Sequence, residues 1–124
     1  MAYFIVFVGA GLGGALRHGV NVLAARLFGF GFPWGTLFVN VAGGLVMGVI
    51  AALLLIKGVG NQPLRLFLTT GLLGGFTTFS AFSLDAAVMW QRGDYALLAG
   101  YGVGSVLLSI GALFLGMGAT RALV

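Results

Sequence analysis

Three groups of polar side chains interrupt an otherwise apolar chain, and they offer hydrogen-bond donors where an enzyme would offer nucleophiles. The richest is Thr69-Thr70-Gly71-Leu72-Leu73-Gly74-Gly75-Phe76-Thr77-Thr78-Phe79-Ser80-Ala81-Phe82-Ser83-Leu84-Asp85, which combines hydroxyls, paired glycines and three phenylalanines at three-residue spacing. Phe76, Phe79 and Phe82 advance by about 300° per step on a helix, so neighbouring rings occupy overlapping sides. An aromatic ring has a negative face and a positive edge, so edges presented to a narrow path favour an anion; packing is the other use of such a stripe. Tyr101, Ser105 and Ser109 stand at i, i+4 and i+8, within about an 80° sector of one helix, and form a row of hydroxyls unless each bonds back to its own helix. Asn40 is the third polar place, either helix-to-helix glue or an ion contact. With Thr77, Ser80 and Ser83 these groups supply donors that can replace water around a small anion.

Gly74-Gly75 followed by β-branched Thr77-Thr78 is poor continuous helix, so a break is expected near residues 74–78. Within a bilayer such a break needs protein or a water-filled cavity to satisfy the freed backbone groups. Carbonyls at a half-helix end can coordinate a monovalent cation; a kink closed by threonine back-bonding is the alternative.

Other chemistries are poorly supplied. The chain has no cysteine, one histidine and two acids. Asp94 sits in a loop where it is expected to cap the last helix, and Asp85 is placed near the membrane interface. Arg17, inside the first apolar stretch, snorkels or lines a basic vestibule that attracts anions. His18 has no second ligand type beside it and is read as structural. Gly9-Ala10-Gly11-Leu12-Gly13-Gly14 matches a dinucleotide-binding fingerprint, but the acid needed about 20 positions on is missing, the first acid being Asp85.

The elements that must carry these groups are membrane helices. Of 124 residues, 60% are apolar and only 6% charged, against roughly 25% charged in a soluble domain. A span needs about 20 apolar residues, and four fit, at about 3–27, 34–56, 64–90 and 96–119. The breaks Gly29-Phe30-Gly31-Phe32-Pro33, Lys57-Gly58-Val59-Gly60-Asn61-Gln62-Pro63 and Gln91-Arg92-Gly93-Asp94 are too short for a further domain, so residues 1–124 form one four-helix transmembrane domain. Met1-Ala2-Tyr3 carries no basic region of the kind that opens a signal peptide, so the N-terminal stretch is kept as structure.

The formal net charge is +4, yet the cations are scattered singly and make no stripe for nucleic acid. Lys57, Arg65 and Arg121 fall on the face shared by the termini, Arg26 and Arg92 on the other, with Arg17 just inside it. Orientation normally follows a Lys/Arg excess; this near balance suggests insertion both ways, with oppositely oriented copies pairing about an axis in the membrane plane. The chain has 23 glycines. Gly9/Gly13, Gly44/Gly48, Gly71/Gly75 and Gly100/Gly104 have the four-residue spacing that lets helix backbones approach in lipid. Four such helices enclose little space, so a permeation path calls for a second subunit.

Gly13-Gly14-Ala15-Leu16-Arg17, Gly35-Thr36-Leu37-Phe38-Val39-Asn40 and Gly74-Gly75-Phe76-Thr77-Thr78-Phe79-Ser80-Ala81-Phe82-Ser83 resemble the signatures of the Fluc (CrcB) fluoride channels, across essentially the whole chain. The resemblance implies an all-α membrane protein with a broken third helix, assembled as an antiparallel dual-topology homodimer in the inner membrane of the cell. It implies two pores that pass fluoride passively out of the cytoplasm and select against chloride. Phe79 and Phe82 would then be the ring-edge anion contacts and Asn40 a donor beside them, with Ser80, Ser83, Tyr101, Ser105 and Ser109 completing polar tracks. Carbonyls of Gly74 and Thr77 from both subunits would hold a central sodium ion, and Thr36 and Arg17 would lie toward an aqueous vestibule. Ala81 and Asp85 depart from the family pattern, which usually has threonine and glutamate there. The alternative from another class is a small dual-topology proton-coupled exporter, in which Asp85 would carry the proton; a non-transporting scaffold protein is a third reading.

Overall fold

The structure, a computed structural model, describes all residues except 57 and 59, so Lys57 of the charge count lies outside the described residues. Helix α1 (Ala2–Phe28) ends at Gly29, whose φ of 75° lets its amide close on the Ala25 carbonyl. Helix α2 (Trp34–Ala51) starts behind Pro33 and runs into a π-helical turn, Ala52–Ile56. The third segment is composite. It begins as α3 (Gln62–Arg65), where Asn61 Oδ1 accepts the Leu64 amide and Pro63 suits the first turn. It continues as a π-helical run, Leu66–Leu73, then α4 (Gly74–Phe76) and α5 (Phe79–Arg92). Gly93, at φ 79°, turns the chain into α6 (Tyr95–Leu123).

Four segments are long and apolar enough to cross a bilayer: Ala2–Phe28, Trp34–Leu54, Gln62–Arg92 and Tyr95–Leu123. These coincide within a few residues with the spans read from hydropathy, and the chain is a multi-pass, all-α membrane protein.

Glycine decides which helices touch. α1 lies on the third segment, where a Cβ on Gly9 would stand 2.9 Å from the Gly71 Cα and one on Gly13 would strike the Leu72 carbonyl. Gly75 faces the Ala10 backbone in the same seam. α2 occupies the centre and packs most extensively on α6, with Gly44 and Gly48 against the Ser109 and Leu113 carbonyls and Gly116 against that of Leu45. Val39, Leu54, Leu73, Met89 and Tyr101 are the larger buried side chains. Gly100 and Gly104 behave otherwise: nothing described lies within 4 Å of a Cβ at either, because their face of α6 points away from α2.

Two further readings are corrected. Asp94 precedes α6 but its side chain makes no cap bond; ψ of 61° takes it out of the extended geometry from which a cap side chain reaches back, and Oδ2 pairs with Arg92 Nε at 3.4 Å. The three-phenylalanine stripe also divides. Residues 77 and 78 leave helical geometry, which resets the angular phase, so Phe76 belongs to α4 while Phe79 and Phe82 share α5.

Candidate functional site

The interruption between α4 and α5 is local and almost fully accounted for in hydrogen bonds. Thr77 (φ −87°, ψ 160°) and Thr78 (φ −154°, ψ 124°) are extended. The Thr77 amide and hydroxyl both donate to the Leu73 carbonyl, at 3.0 and 2.8 Å. Thr78 is held by Asn40, which accepts its amide at Oδ1 (2.8 Å) and donates from Nδ2 to its carbonyl (3.0 Å). Thr78 Oγ1 in turn accepts the Ala81 amide and so caps α5. Arg17 reaches across from α1, its Nε donating to the Gly75 carbonyl at 3.1 Å. The Thr77 amide keeps its helical bond to the Leu73 carbonyl, whereas the Thr78 amide, which would cover the Gly74 carbonyl in a continuous helix, is taken by Asn40. The Ala81 amide that would cover Thr77 is taken by Thr78 Oγ1.

Beside the break lies a groove of about 330 Å³, lined by Asn40, Thr77, Phe79, Phe82, Ser105 and Ser109 among others. The rings of Phe79 and Phe82 stand 5.6 Å apart at 43°. Phe79 is 77% exposed, so the groove is open on its side. Across from the rings, α6 presents Ser105, only 6% exposed, and Ser109 one turn on. Neither hydroxyl oxygen is exposed, and neither has a hydrogen-bond partner among the described residues. A buried hydroxyl without a partner costs about 1–3 kcal/mol. Two stand on consecutive turns of α6, and both residues line the groove. Beyond Ser109 the space continues as a cavity of about 260 Å³ bounded by Gly43, Gly44 and Leu73.

A second cavity, about 370 Å³, opens at the end where α1 meets α2. Asn21, Phe32, Thr36, Asp85 and Arg92 are among its walls. Tyr101 stands between this cavity and the groove. Its ring lies 5.0 Å from Phe82, which lines the groove, and its hydroxyl donates to Asp85 Oδ2 at 2.9 Å.

With that geometry in place, the family model for CrcB-like proteins, described as Camphor Resistance (CrcB), matches residues 4–117. The chain belongs to the CrcB family. Among curated proteins it is 53% identical to the fluoride-specific ion channel FluC 2 of Nitrobacter hamburgensis, over 98% of both chains. It is 55% identical to the fluoride-specific ion channel FluC of one Rhodopseudomonas palustris strain and 52% to that of another, each over 99% of both chains. These relatives are named as ion channels, a non-enzymatic activity, and the family read from the signature strings is the family found.

The structure sorts the residues singled out from sequence in this CrcB protein. Asn40, Phe79, Phe82, Ser105 and Ser109 share the groove, with Thr77 at its edge and Gly74 in the preceding turn. Ser80 and Ser83 are exposed on α5; Ser83 donates to the Phe79 carbonyl and Ser80 lies 3.3 Å from Thr78 Oγ1. Thr36 is in the second cavity, whereas Arg17 lies apart from it, against the break. Three contributors were not expected as site residues, although Thr78 was placed at the break and Arg92 in the charge count. Thr78 is the hinge of the hydrogen-bond set, and a threonine three residues before Ala81 is a cap signal in the sequence. Phe32 and Arg92 had no such signal: Phe32 reaches the cavity from the loop before Pro33, and Arg92 from the last turn of α5.

Proposed function

We propose that this protein is a fluoride-selective ion channel that lets fluoride leave the cytoplasm passively. The observation that carries the reading is the pair of buried, unpartnered hydroxyls of Ser105 and Ser109 facing the rings of Phe79 and Phe82. Fluoride is small and strongly hydrated, so a path must replace its water with dense donors. Serine hydroxyls, the remaining Asn40 N–H and ring edges are such donors, and none carries a charge that would trap the ion. The names of the relatives support the same ion.

The working unit is an antiparallel homodimer in the inner membrane of the cell. Support comes from α5, which leaves Phe79, Ser80 and Ser83 uncovered. Hydroxyls at membrane depth face protein or water, not lipid. The uncovered face of Gly100 and Gly104 offers close backbone approach to a second copy. The near balance of cations in the sequence, Lys57, Arg65 and Arg121 against Arg26 and Arg92 with Arg17 just inside, is compatible with insertion in both directions. Two copies then place two grooves side by side.

A sodium ion fits the break. Gly74 and Thr77 carbonyls have lost their helical amides, and hard monovalent cations take such oxygens. A second copy would double the set, and the bound ion would hold two breaks together by charge.

The test is fluoride efflux from liposomes holding the purified protein, read by electrode under a potassium/valinomycin potential, with chloride as control. Fast fluoride release without chloride release supports the channel; release of neither, from folded protein, overturns it. Asp85 lines a cavity within the third segment, which is what the proton-coupled exporter requires. That exporter predicts that Asp85→Asn abolishes pH-driven exchange, whereas a channel shows no such exchange to abolish.

A further inference from the structure

Resting on the channel reading, the geometry points to Phe32, on the loop between α1 and α2, as a positioning residue that aims the Tyr101 hydroxyl at Asp85 and so sets passage between the two cavities. Tyr101 is 2% exposed and its ring is gripped from two sides. Phe82 lies 5.0 Å away on the groove side, and Phe32 meets it edge-on at 5.4 Å and 84° on the other. The edge-on arrangement is the favoured one for a ring pair, worth more than its buried area alone.

Phe32 is itself held in place. Its carbonyl accepts the Trp34 amide at 2.9 Å across Pro33, whose φ of −79° and ψ of 66° make an inverse γ-turn. Its ring also packs on Trp34 at 4.6 Å. α2 is seated behind that turn, for a Cβ on Gly35 would strike Asn21 Oδ1. A loop fixed at three points therefore presents one ring to one tyrosine.

The consequence is electrostatic. A carboxylate facing the path repels an entering anion, and a hydroxyl donating to it at 2.9 Å offsets part of that charge. If Tyr101 turns away, Asp85 faces the ion bare. Phe32 touches Tyr101 and acts through it.

The experiment measures fluoride release from liposomes for the wild-type chain, Phe32→Leu, Phe32→Tyr, Tyr101→Phe and the double variant Phe32→Leu/Tyr101→Phe. Leucine keeps an apolar side chain at the turn while removing the ring edge, and elution as the wild-type species checks folding. Phe32→Leu is expected to slow release about tenfold or more, the scale of one lost hydrogen bond to a charge. Phe32→Tyr, which keeps the ring, is expected to restore it. The double variant is expected to match Tyr101→Phe alone, because without the hydroxyl there is nothing left to aim. Wild-type rate in Phe32→Leu, or losses that multiply in the double variant, would overturn the role of Phe32 while leaving the channel standing. A wild-type chain that releases no fluoride would overturn both.

Discussion

Asn40 and Thr78, thirty-eight residues apart in the chain, exchange two hydrogen bonds through one amide side chain and one peptide. The pairing replaces the helical bonds that Thr78 gives up, and it ties α2 to the hinge of the third segment. Asn40→Ala strands both a donor and an acceptor. Interhelical hydrogen bonds in membranes average about 0.6 kcal/mol and reach about 1.7, so the loss is expected to be about 1–3 kcal/mol. A lower melting temperature in detergent, with fluoride release reduced alongside, is the expected result; an unchanged melt would show that the break holds itself.

Ser105 and Ser109 should behave in the opposite way. Neither hydroxyl has a protein partner, so Ser105→Ala and Ser109→Ala remove no described bond and leave the melt at or slightly above wild type. Fluoride release is expected to fall about tenfold for each, one donor being worth roughly 1–1.5 kcal/mol. Paired melts and liposome fluxes on the same preparations check both halves of this expectation.

Phe79 and Phe82 form one ring pair but differ in their surroundings. Phe79 is exposed on the open side of the groove, whereas Phe82 also packs on Tyr101. Isoleucine at either position keeps apolar bulk and removes the ring edge. Both Phe79→Ile and Phe82→Ile are expected to lose most fluoride release, and Phe82→Ile to lower the melt more, by about 1 kcal/mol for the Tyr101 pair that it alone also loses. Full flux from both folded variants would refute the ring-edge contact.

Gly48 faces the Leu113 carbonyl so closely that a methyl group would have to push α2 off α6. Gly48→Ala is expected to cost about 1–3 kcal/mol by overpacking. Gly11→Ala, on a face of α1 where a Cβ meets nothing described, is expected to leave the melt of the single fold unchanged. Thermal unfolding of the two variants side by side separates close packing from mere loss of glycine.

The limits of sequence reading are visible in single residues. The glycine spacing was equal at Gly44/Gly48 and Gly100/Gly104, yet one pair meets α6 and the other meets nothing among the described residues. Spacing identifies a narrow face; which neighbour covers it depends on the order in which helices pack. The three-residue phenylalanine spacing failed at Phe76 for a related reason. A helical angle accumulates only while the helix continues, and two extended threonines end the count. Arg17 was legible as a cation inside the first span, snorkelling or lining a vestibule, but not as the partner of Gly75, fifty-eight residues away.

By itself the sequence determined the solvent this protein lives in, the four spans, the family, and the donor types at membrane depth, because each follows from composition or local order. Only the tertiary structure decided which of those donors remain free. Asn40 is largely spent on Thr78 and Ser83 on its own helix, while the hydroxyls of Ser105 and Ser109 have no partner among the described residues. A donor has few bonds to give, and whether one is left over depends on what stands opposite it across the bundle.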